Sequence, residues 1–326
     1  MKMKRNVVAG TAAIGALVAA QPVLAAEQPP LFQYQDGELK VTQIAQYDSG
    51  EGEGGTEIMA YDSGLQRAFV TNGAAGGFDI LSFSDLQSGE FAQVDSEKRV
   101  LLSDFKLKNV DDITSIASHP TKDLIAISAV SNPKTNPGYI VFATKDGEYV
   151  NHVLVGSMPD MVTFTLDGTK ALVANEGEPY DDYTMDPAGS ISIIDVTSNH
   201  FYVNHLSFND AVLDEKVRVS SKGKALQQLE PEYITVSDDS KTAYVAMQEN
   251  NAIATIDLET EKIVDVKGLG VKGHSVSGNE LDAKSNGETN IERQPLLGYY
   301  MPDAIHTFTV ADKTYILTPK RLLDKQ

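Results

Sequence analysis

The stretch GSMPDMVTFTLDGTKALVANEGEPYDDYTMDPAGSISIIDV, residues 156–196, decides how the rest of the chain is read. Residues 161–165 alternate up to Leu166-Asp167-Gly168-Thr169, and Asp-Gly between alternating runs is a strong short-range signal for a tight hairpin. Residues 170–174 return as a second strand rich in small and β-branched side chains. An acidic loop bearing Gly and Pro follows, and residues 190–194 form a third strand ending at Asp195. Upstream, residues 149–155 supply a further alternating strand. Together these segments read as one unit of four-stranded antiparallel meander.

Outward from this unit the same phrase recurs. The second strand returns as Ala68-Phe69-Val70-Thr71-Asn72, Ala171-Leu172-Val173-Ala174-Asn175 and Ala243-Tyr244-Val245-Ala246. A first unit pairs residues 56–61 with 67–72 and adds 77–83. A second pairs 113–117 with 124–128 through Ser118-His119-Pro120 and adds 139–143. A fourth runs through 233–237, 242–247, 252–257 and 263–266, and a fifth begins with 304–310 and 314–317. Residues 39–47 form a first alternating strand, placed to be the outermost strand of the last unit in a ring closed by its own N-terminus. Long inserts at 85–109, 201–229 and 268–300 stretch the spacing. Repeats of four short strands every roughly 40–50 residues or more are the mark of propeller blades. A sandwich would also show short strands and turns, but not this recurring phrase. The expected fold is all-β: an incomplete β-propeller over residues 39–318, with about four four-stranded blades plus a hairpin.

The flanks differ from this body. In residues 1–25, Lys2, Lys4 and Arg5 precede an apolar run, and Val23-Leu24-Ala25 fits a small-residue cleavage site, so an export signal is expected. Residues 26–38 are a Pro- and Gln-rich lead-in. Residues 319–326 are basic and unlike the rest, which suggests a truncated or frame-shifted end and keeps open the reading of a non-functional fragment. An open ring would leave strand edges that invite pairing with another chain. The expected location is periplasmic or extracellular, with no membrane span once the signal is cleaved.

The formal net charge is -19, and loss of the three cations of the signal takes it to -22. A surface this acidic repels nucleic acid and anionic membranes and concentrates cations. With no cysteine, disulfides and thiolate metal sites are excluded.

Five phrases stand out: Glu57-Ile58-Met59-Ala60-Tyr61, Val173-Ala174-Asn175-Glu176-Gly177-Glu178-Pro179, Leu229-Glu230-Pro231-Glu232-Tyr233-Ile234, Gln248-Glu249-Asn250-Asn251-Ala252 and Pro302-Asp303-Ala304-Ile305. They resemble the choice-of-anchor I family, extracellular propellers of YVTN-like repeats related to mesenchyme-specific cell-surface glycoproteins. The resemblance spans nearly all of residues 39–318. Some relatives are described as alkaline phosphatase- or phytase-like, so the resemblance also implies a phosphoesterase alternative, and it implies a cell-surface or extracellular partner. The family continues through further blades toward an anchor, and this chain departs from it there.

The candidate site follows from loop phase. In a propeller, the loop leading into each inner strand and the loop leaving each second strand open on one face. The first kind carries Glu57, Asp112, Asp160, Glu232 and Asp303; the second carries Asn175, Glu176, Glu178 and Glu249, with Asp181, Asp182 and Asp186 behind them and Gln248 and Asn250 beside Glu249. Strand alternation alone would not place an acid at the same phase of each repeat. Carboxylates that converge repel one another until protons or a cation neutralise them. An all-oxygen donor set suits Ca²⁺ or Mg²⁺, and no organic cofactor is expected. The same acids could instead accept backbone N–H bonds at strand starts. The expected function is therefore an exported, non-catalytic binding scaffold with an acidic, divalent-cation-binding face. The competitor is a metal-dependent phosphomonoesterase, in which metals would have to bridge a phosphate that bare carboxylates repel.

Other motifs carry less. Asp282-Ala283-Lys284-Ser285-Asn286-Gly287 has a Lys at a ligand position of a calcium loop and reads as a surface loop. Gly273-His274-Ser275-Val276-Ser277-Gly278 lacks the spacing of a nucleophile elbow. The six histidines show no ligand spacing; His119 is expected to be structural, on the opposite face, and His306 lies near Asp303.

Overall fold

The computed structural model describes residues 33–319, apart from 88–89, 108, 181 and 221–223. The export signal, most of the lead-in, Asp181 and the basic tail beyond residue 319 lie outside the described residues.

Four antiparallel blades follow one another. From the inner strand outward, the first is Met59–Asp62, Arg67–Asn72, Gly77–Ser82 and Ser96–Leu101. The second is Val110–Ser118, Ile125–Ser131, Pro137–Ala143 and Tyr149–Ser157. The third is Pro159–Phe164, Lys170–Asn175, Ser190–Asp195 and Val203–Ser207. The fourth is Tyr233–Val236, Thr242–Met247, Ala252–Asp257 and Lys262–Gly268, to whose outer edge Val212–Leu213 adds in parallel. A hairpin of His306–Val310 and Lys313–Leu317 comes last.

The second strands form where they do because both of their faces are covered. Ile125–Ser131 is buried along its whole length, and so is Lys170–Asn175 after its first residue. A strand buried on both sides reads as a near-continuous run of small and branched apolar residues, as these do. Their side chains build a core at each junction. Phe69, Phe78 and Ile80 meet Ile116, Ile127 and Val141 between blades one and two. Ala126 and Phe142 meet Val162, Val173 and Phe201 at the next junction, where the Phe142 and Phe201 rings stack with centroids 4.3 Å apart. Leu172, Ile191 and Ile193 meet Val245, Met247 and Ile256 at the third.

The inner strands touch in sequence order, which makes the blades fan about one axis. The Thr114 hydroxyl donates to the Pro159 carbonyl at 2.6 Å, and the Val162 amide donates to Ser115 Oγ at 3.2 Å. The Ile234 amide points at Met161 Sδ, 2.9 Å away. The fold is a β-propeller of four blades plus a hairpin.

Three strand expectations need correction. Residues 149–155 belong to blade two, because Tyr149–Ser157 pairs with Pro137–Ala143 rather than joining the third unit. The inserts at 85–109 and 201–229 hold the outer strands Ser96–Leu101 and Val203–Ser207. Residues 39–47 are not one strand. Leu39–Thr42 pairs with Gln33–Asp36, inside the expected lead-in, and Ala45–Tyr47 runs parallel to Ala92–Val94. That second segment lies against blade one, where Tyr47 donates its hydroxyl to the wholly buried Asp79 at 2.7 Å. Asn72 Nδ2 and Arg99 Nε complete the shell around Asp79, each at 2.8 Å. Burial pushes that carboxyl up, but the bonds from Arg99, Asn72 and Tyr47 outweigh it and hold it below the usual range.

Candidate functional site

The two ends of the blades treat carboxylates differently. At one end lie the loops leading into the inner strands and leaving the second strands. Asp160 sits at the start of the blade-three inner strand, and Glu176 follows that blade's second strand, its amide donating to the Met158 carbonyl at 2.9 Å. Glu232 precedes the blade-four inner strand, its amide donating to the Ala246 carbonyl at 3.0 Å. The strand start and these two backbone bonds hold three half-buried carboxyls close enough to act on one another.

Their neighbours there are mainly carboxylates. Burial, and the charges of Asp303 and Glu57, push Asp160 up to about 6. Burial, then Asp160, Glu178, Glu230 and Glu249, push Glu176 up to about 8. Burial pushes Glu232 up to about 11, together with a hydrogen bond shared with Glu249 and the charges of Glu249, Glu176 and Asp160. Desolvation and like charge act in the same direction on all three, so the ionised forms are disfavoured. For Glu232 the hydrogen bond to the Glu249 carboxyl adds to the burial, and both favour its neutral form.

The nine candidate residues divide accordingly. Asp160, Glu176, Glu232 and Glu249 interact directly, and Glu57 and Asp303 act on Asp160 through their charge. Glu178 acts on Glu176 but is also held by Lys134 Nζ at 2.6 Å. Asp112 is committed elsewhere: its Oδ1 accepts the Ile113 amide at 2.7 Å and the side chain is exposed. Asn175 is fully buried, and its Nδ2 donates to Ser190 and Ser192 across the blade, as a brace. Glu230 was absent from the candidate set, although it stands two residues before Glu232 in the same phrase. Among the described residues, no three His, Asp or Glu side chains are placed together as ligands of one metal ion. The donor chemistry, all carboxylate oxygen, nevertheless fits a hard cation.

Inside this mouth the inner strands line a cavity of about 340 Å³ with Asp160, Tyr61, Met161 and Tyr233 in its wall. A second, of about 460 Å³, is walled by the inner strands of blades three and four and by the last hairpin, and includes His306.

At the opposite end the acids find donors. Asp62 and the almost fully buried Lys145 form an ion pair, and Lys145 also donates to the His119 carbonyl at 3.0 Å. Burial raises the Asp62 pKa, but Lys145, the Leu65 amide and Ser118 outweigh it, and the carboxyl is held below its ordinary range. His119 Nδ1 accepts the amides of Thr121 and Lys122, which leaves Nε2–H to donate to the Gly168 carbonyl at 2.9 Å. Burial drives this imidazole down, with Lys122 and Lys145 adding to the effect and Gly168 opposing it. His119 is thus a neutral strut between blades two and three. Asp282 accepts the amides of Lys284 and Asn290, which makes it a turn brace.

The pattern of the choice-of-anchor I domain matches residues 57–320. The chain belongs to the choice-of-anchor I domain family. Domains of this family are typically exported or held at the cell surface. No helix among the described residues is long and apolar enough to cross a membrane. No curated protein matches the chain. Similar solved structures include the β-propeller domain of Cps50 (Swd1) from Myceliophteria thermophila, with 8% identity and a TM-score of 0.45 over 68% of this chain and 59% of that one. Another is a functionally unknown protein from Desulfotomaculum acetoxidans DSM 771, with 11% identity and a TM-score of 0.46 over 81% of this chain and 62% of that one. The choice-of-anchor I chain therefore spans about 60% of the length of each.

Proposed function

We propose that this choice-of-anchor I propeller is an exported, non-catalytic binding scaffold whose acidic mouth takes up a divalent cation, Ca²⁺ or Mg²⁺, and presents it to an extracellular or cell-surface partner. The observation that carries this reading is the convergence of Asp160, Glu176, Glu232 and Glu249 from two neighbouring blades, with Glu57 and Asp303 beside them. Such a group holds protons in place of a cation, so a hard cation entering it relieves repulsion and displaces protons. Uptake then strengthens as pH rises, because fewer protons compete. Small rotations of the long Glu side chains would bring their oxygens around one ion.

Calorimetric titration with Ca²⁺ and with Mg²⁺, alongside thermal unfolding at pH 5 and pH 8, tests the reading. Binding heat and a raised midpoint at pH 8, both weaker at pH 5, are expected. The absence of heat and of stabilisation at both pH values defeats the cation site. Turnover of a generic phosphate ester is expected to be nil with or without Ca²⁺; robust metal-dependent hydrolysis would replace the scaffold reading with an esterase.

A further inference from the structure

Two Asn-Gly pairs occur in the sequence, Asn72-Gly73 and Asn286-Gly287. Such a pair carries a reaction of its own. The glycine nitrogen, with no Cβ beside it, can attack the asparagine side-chain carbonyl and close a five-membered ring. The reaction needs water or hydroxide at the pair, freedom to turn the backbone, and room for the ring. The fold gives these conditions to one pair and withholds them from the other.

Asn72 ends the second strand of blade one, paired in register with Gly77, and is fully buried. Its Nδ2 donates to Asp79 at 2.8 Å, and its Oδ1 accepts the Ala75 amide at 3.1 Å. Gly73 is hemmed in: a Cβ there would stand 2.9 Å from Asp112 Oδ1 and 3.2 Å from the Gly54 carbonyl oxygen. The next amide, that of Ala74, donates to the same carbonyl at 2.8 Å. Side chain and backbone are both fixed.

Asn286 stands at the tip of the insert between blade four and the last hairpin. The insert is a ladder in which Val271–Gly273 pairs with Leu297–Tyr299 and a bridge joins Leu281 to Glu292. Asp282 then closes the neck of the tip by accepting the Lys284 and Asn290 amides. Residues 283–290 beyond it are all exposed. Gly287 has φ +80°, and a Cβ built there meets nothing within 4 Å among the described residues. Asn286 Oδ1 accepts the Glu288 amide at 3.1 Å. That bond draws electrons from Cγ and steadies the oxygen as charge develops on it. An amide bond to Oδ1 is common to both pairs, so what separates them is burial, the anchor on Nδ2 and the room around the glycine.

We propose that Asn286-Gly287 is a site of spontaneous covalent modification, deamidation through a cyclic imide, and that the fold protects Asn72-Gly73 from the same reaction. Hydroxide removes the Gly287 amide proton, and the nitrogen bonds to Asn286 Cγ. The Cγ–Nδ2 bond breaks, and Nδ2 leaves as ammonia with a proton from water. Water then opens the ring at either carbonyl. One product has aspartate in place of Asn286. The other is an isoaspartyl link, which runs the main chain through Cγ and lengthens it by one methylene. Each event adds one negative charge to the tip. The base of the insert is held apart from this change: Asn251 Oδ1 accepts the Tyr300 and Met301 amides, and its Nδ2 donates to the Gly270 carbonyl at 2.7 Å. The blades therefore keep their packing in the modified chain.

Incubation of the purified full chain at pH 8 and 37 °C, with peptide mapping over successive days, tests it. The peptide bearing Asn286 is expected to gain the mass of –OH over –NH2 and to split into two products. One of them should accept a methyl group from an isoaspartyl methyltransferase. Asn72 reacts only when its strand opens, so its rate is expected to be at least about tenfold lower. In urea both pairs are expected to react. Asn286→Gln is expected to remove the products without moving the unfolding midpoint, and the aged wild-type chain should keep that midpoint too. An Asn286 peptide that stays intact in the folded chain while reacting in urea, or an Asn72 peptide that reacts as fast as the Asn286 peptide in the folded chain, would each overturn the proposal.

Discussion

The mouth and the turn end of this propeller hold the same residue type in opposite states. At the turn end, Asp167 is pushed up by burial but held low by Thr165 and Thr169, and Asp195 is lowered by the Thr197 side chain and amide. Each such acid sits in a tight turn whose own hydroxyls and amides meet it. At the mouth, Asp160, Glu176 and Glu232 meet chiefly other acids and are pushed up. The difference lies not in the side chain but in what the backbone brings to it. Turns bring donors from within a few residues, whereas the mouth brings carboxylates from separate blades.

Breaking the turn end should have the largest effect. Lys145→Met leaves Asp62 without its cation in a nearly dry setting, and a loss of about 3 kcal/mol in urea unfolding is expected. Gly168→Ala should cost about 1–3 kcal/mol, because Gly168 has φ +68° and a Cβ there would stand 2.6 Å from His119 Cε1. A wild-type midpoint in that variant would show that the His119 strut is dispensable.

The pH dependence sharpens the contrast. A carboxyl whose folded pKa is raised retains its proton in the native state, so stability is complete below the unfolded value and falls as pH rises through the folded one. For Asp160 and Glu176 that window runs from about 4 to about 8. For Asp62 and Asp79, whose folded values are lowered, stability is present above the unfolded value and is lost as pH falls through the folded one. Unfolding midpoints without divalent cations should therefore decline on both sides of a maximum in the mildly acidic range. A midpoint flat from pH 5 to pH 8 would mean that the mouth acids are not strained.

Neutralising the mouth should help rather than harm. Glu232→Gln is expected to stabilise the protein at pH 8, on the order of 1 kcal/mol, while weakening any response to Ca²⁺. Destabilisation there would identify the Glu232–Glu249 contact as a structural bond. The smallest effect belongs to the exposed Asp182, whose carboxylate accepts the Thr184 amide and hydroxyl; Asp182→Asn should leave the midpoint unchanged.

Legibility followed burial. The second strands stand out in the sequence because both faces are covered, so Ala68-Phe69-Val70 and Ala171-Leu172-Val173 are apolar without interruption. The outer strands Ser96–Leu101 and Val203–Ser207 lie at the solvent rim with mostly polar, partly exposed residues, and so they carry little periodic signal. The acids at the inner-strand mouths were legible by phase, but their fates were not. Asp112 and Asp160 occupy like positions, yet Asp112 bonds the Ile113 amide while Asp160 joins the cluster.

By itself, then, the sequence determined the number of meanders, their hairpin turns and the placing of an acid near most of their mouths, because turns and strand alternation are local properties of neighbouring residues. Only the tertiary structure decided which carboxylates meet one another and which strand closes each blade. Those outcomes depend on how residues far apart in the chain are brought together when the blades fan about their axis.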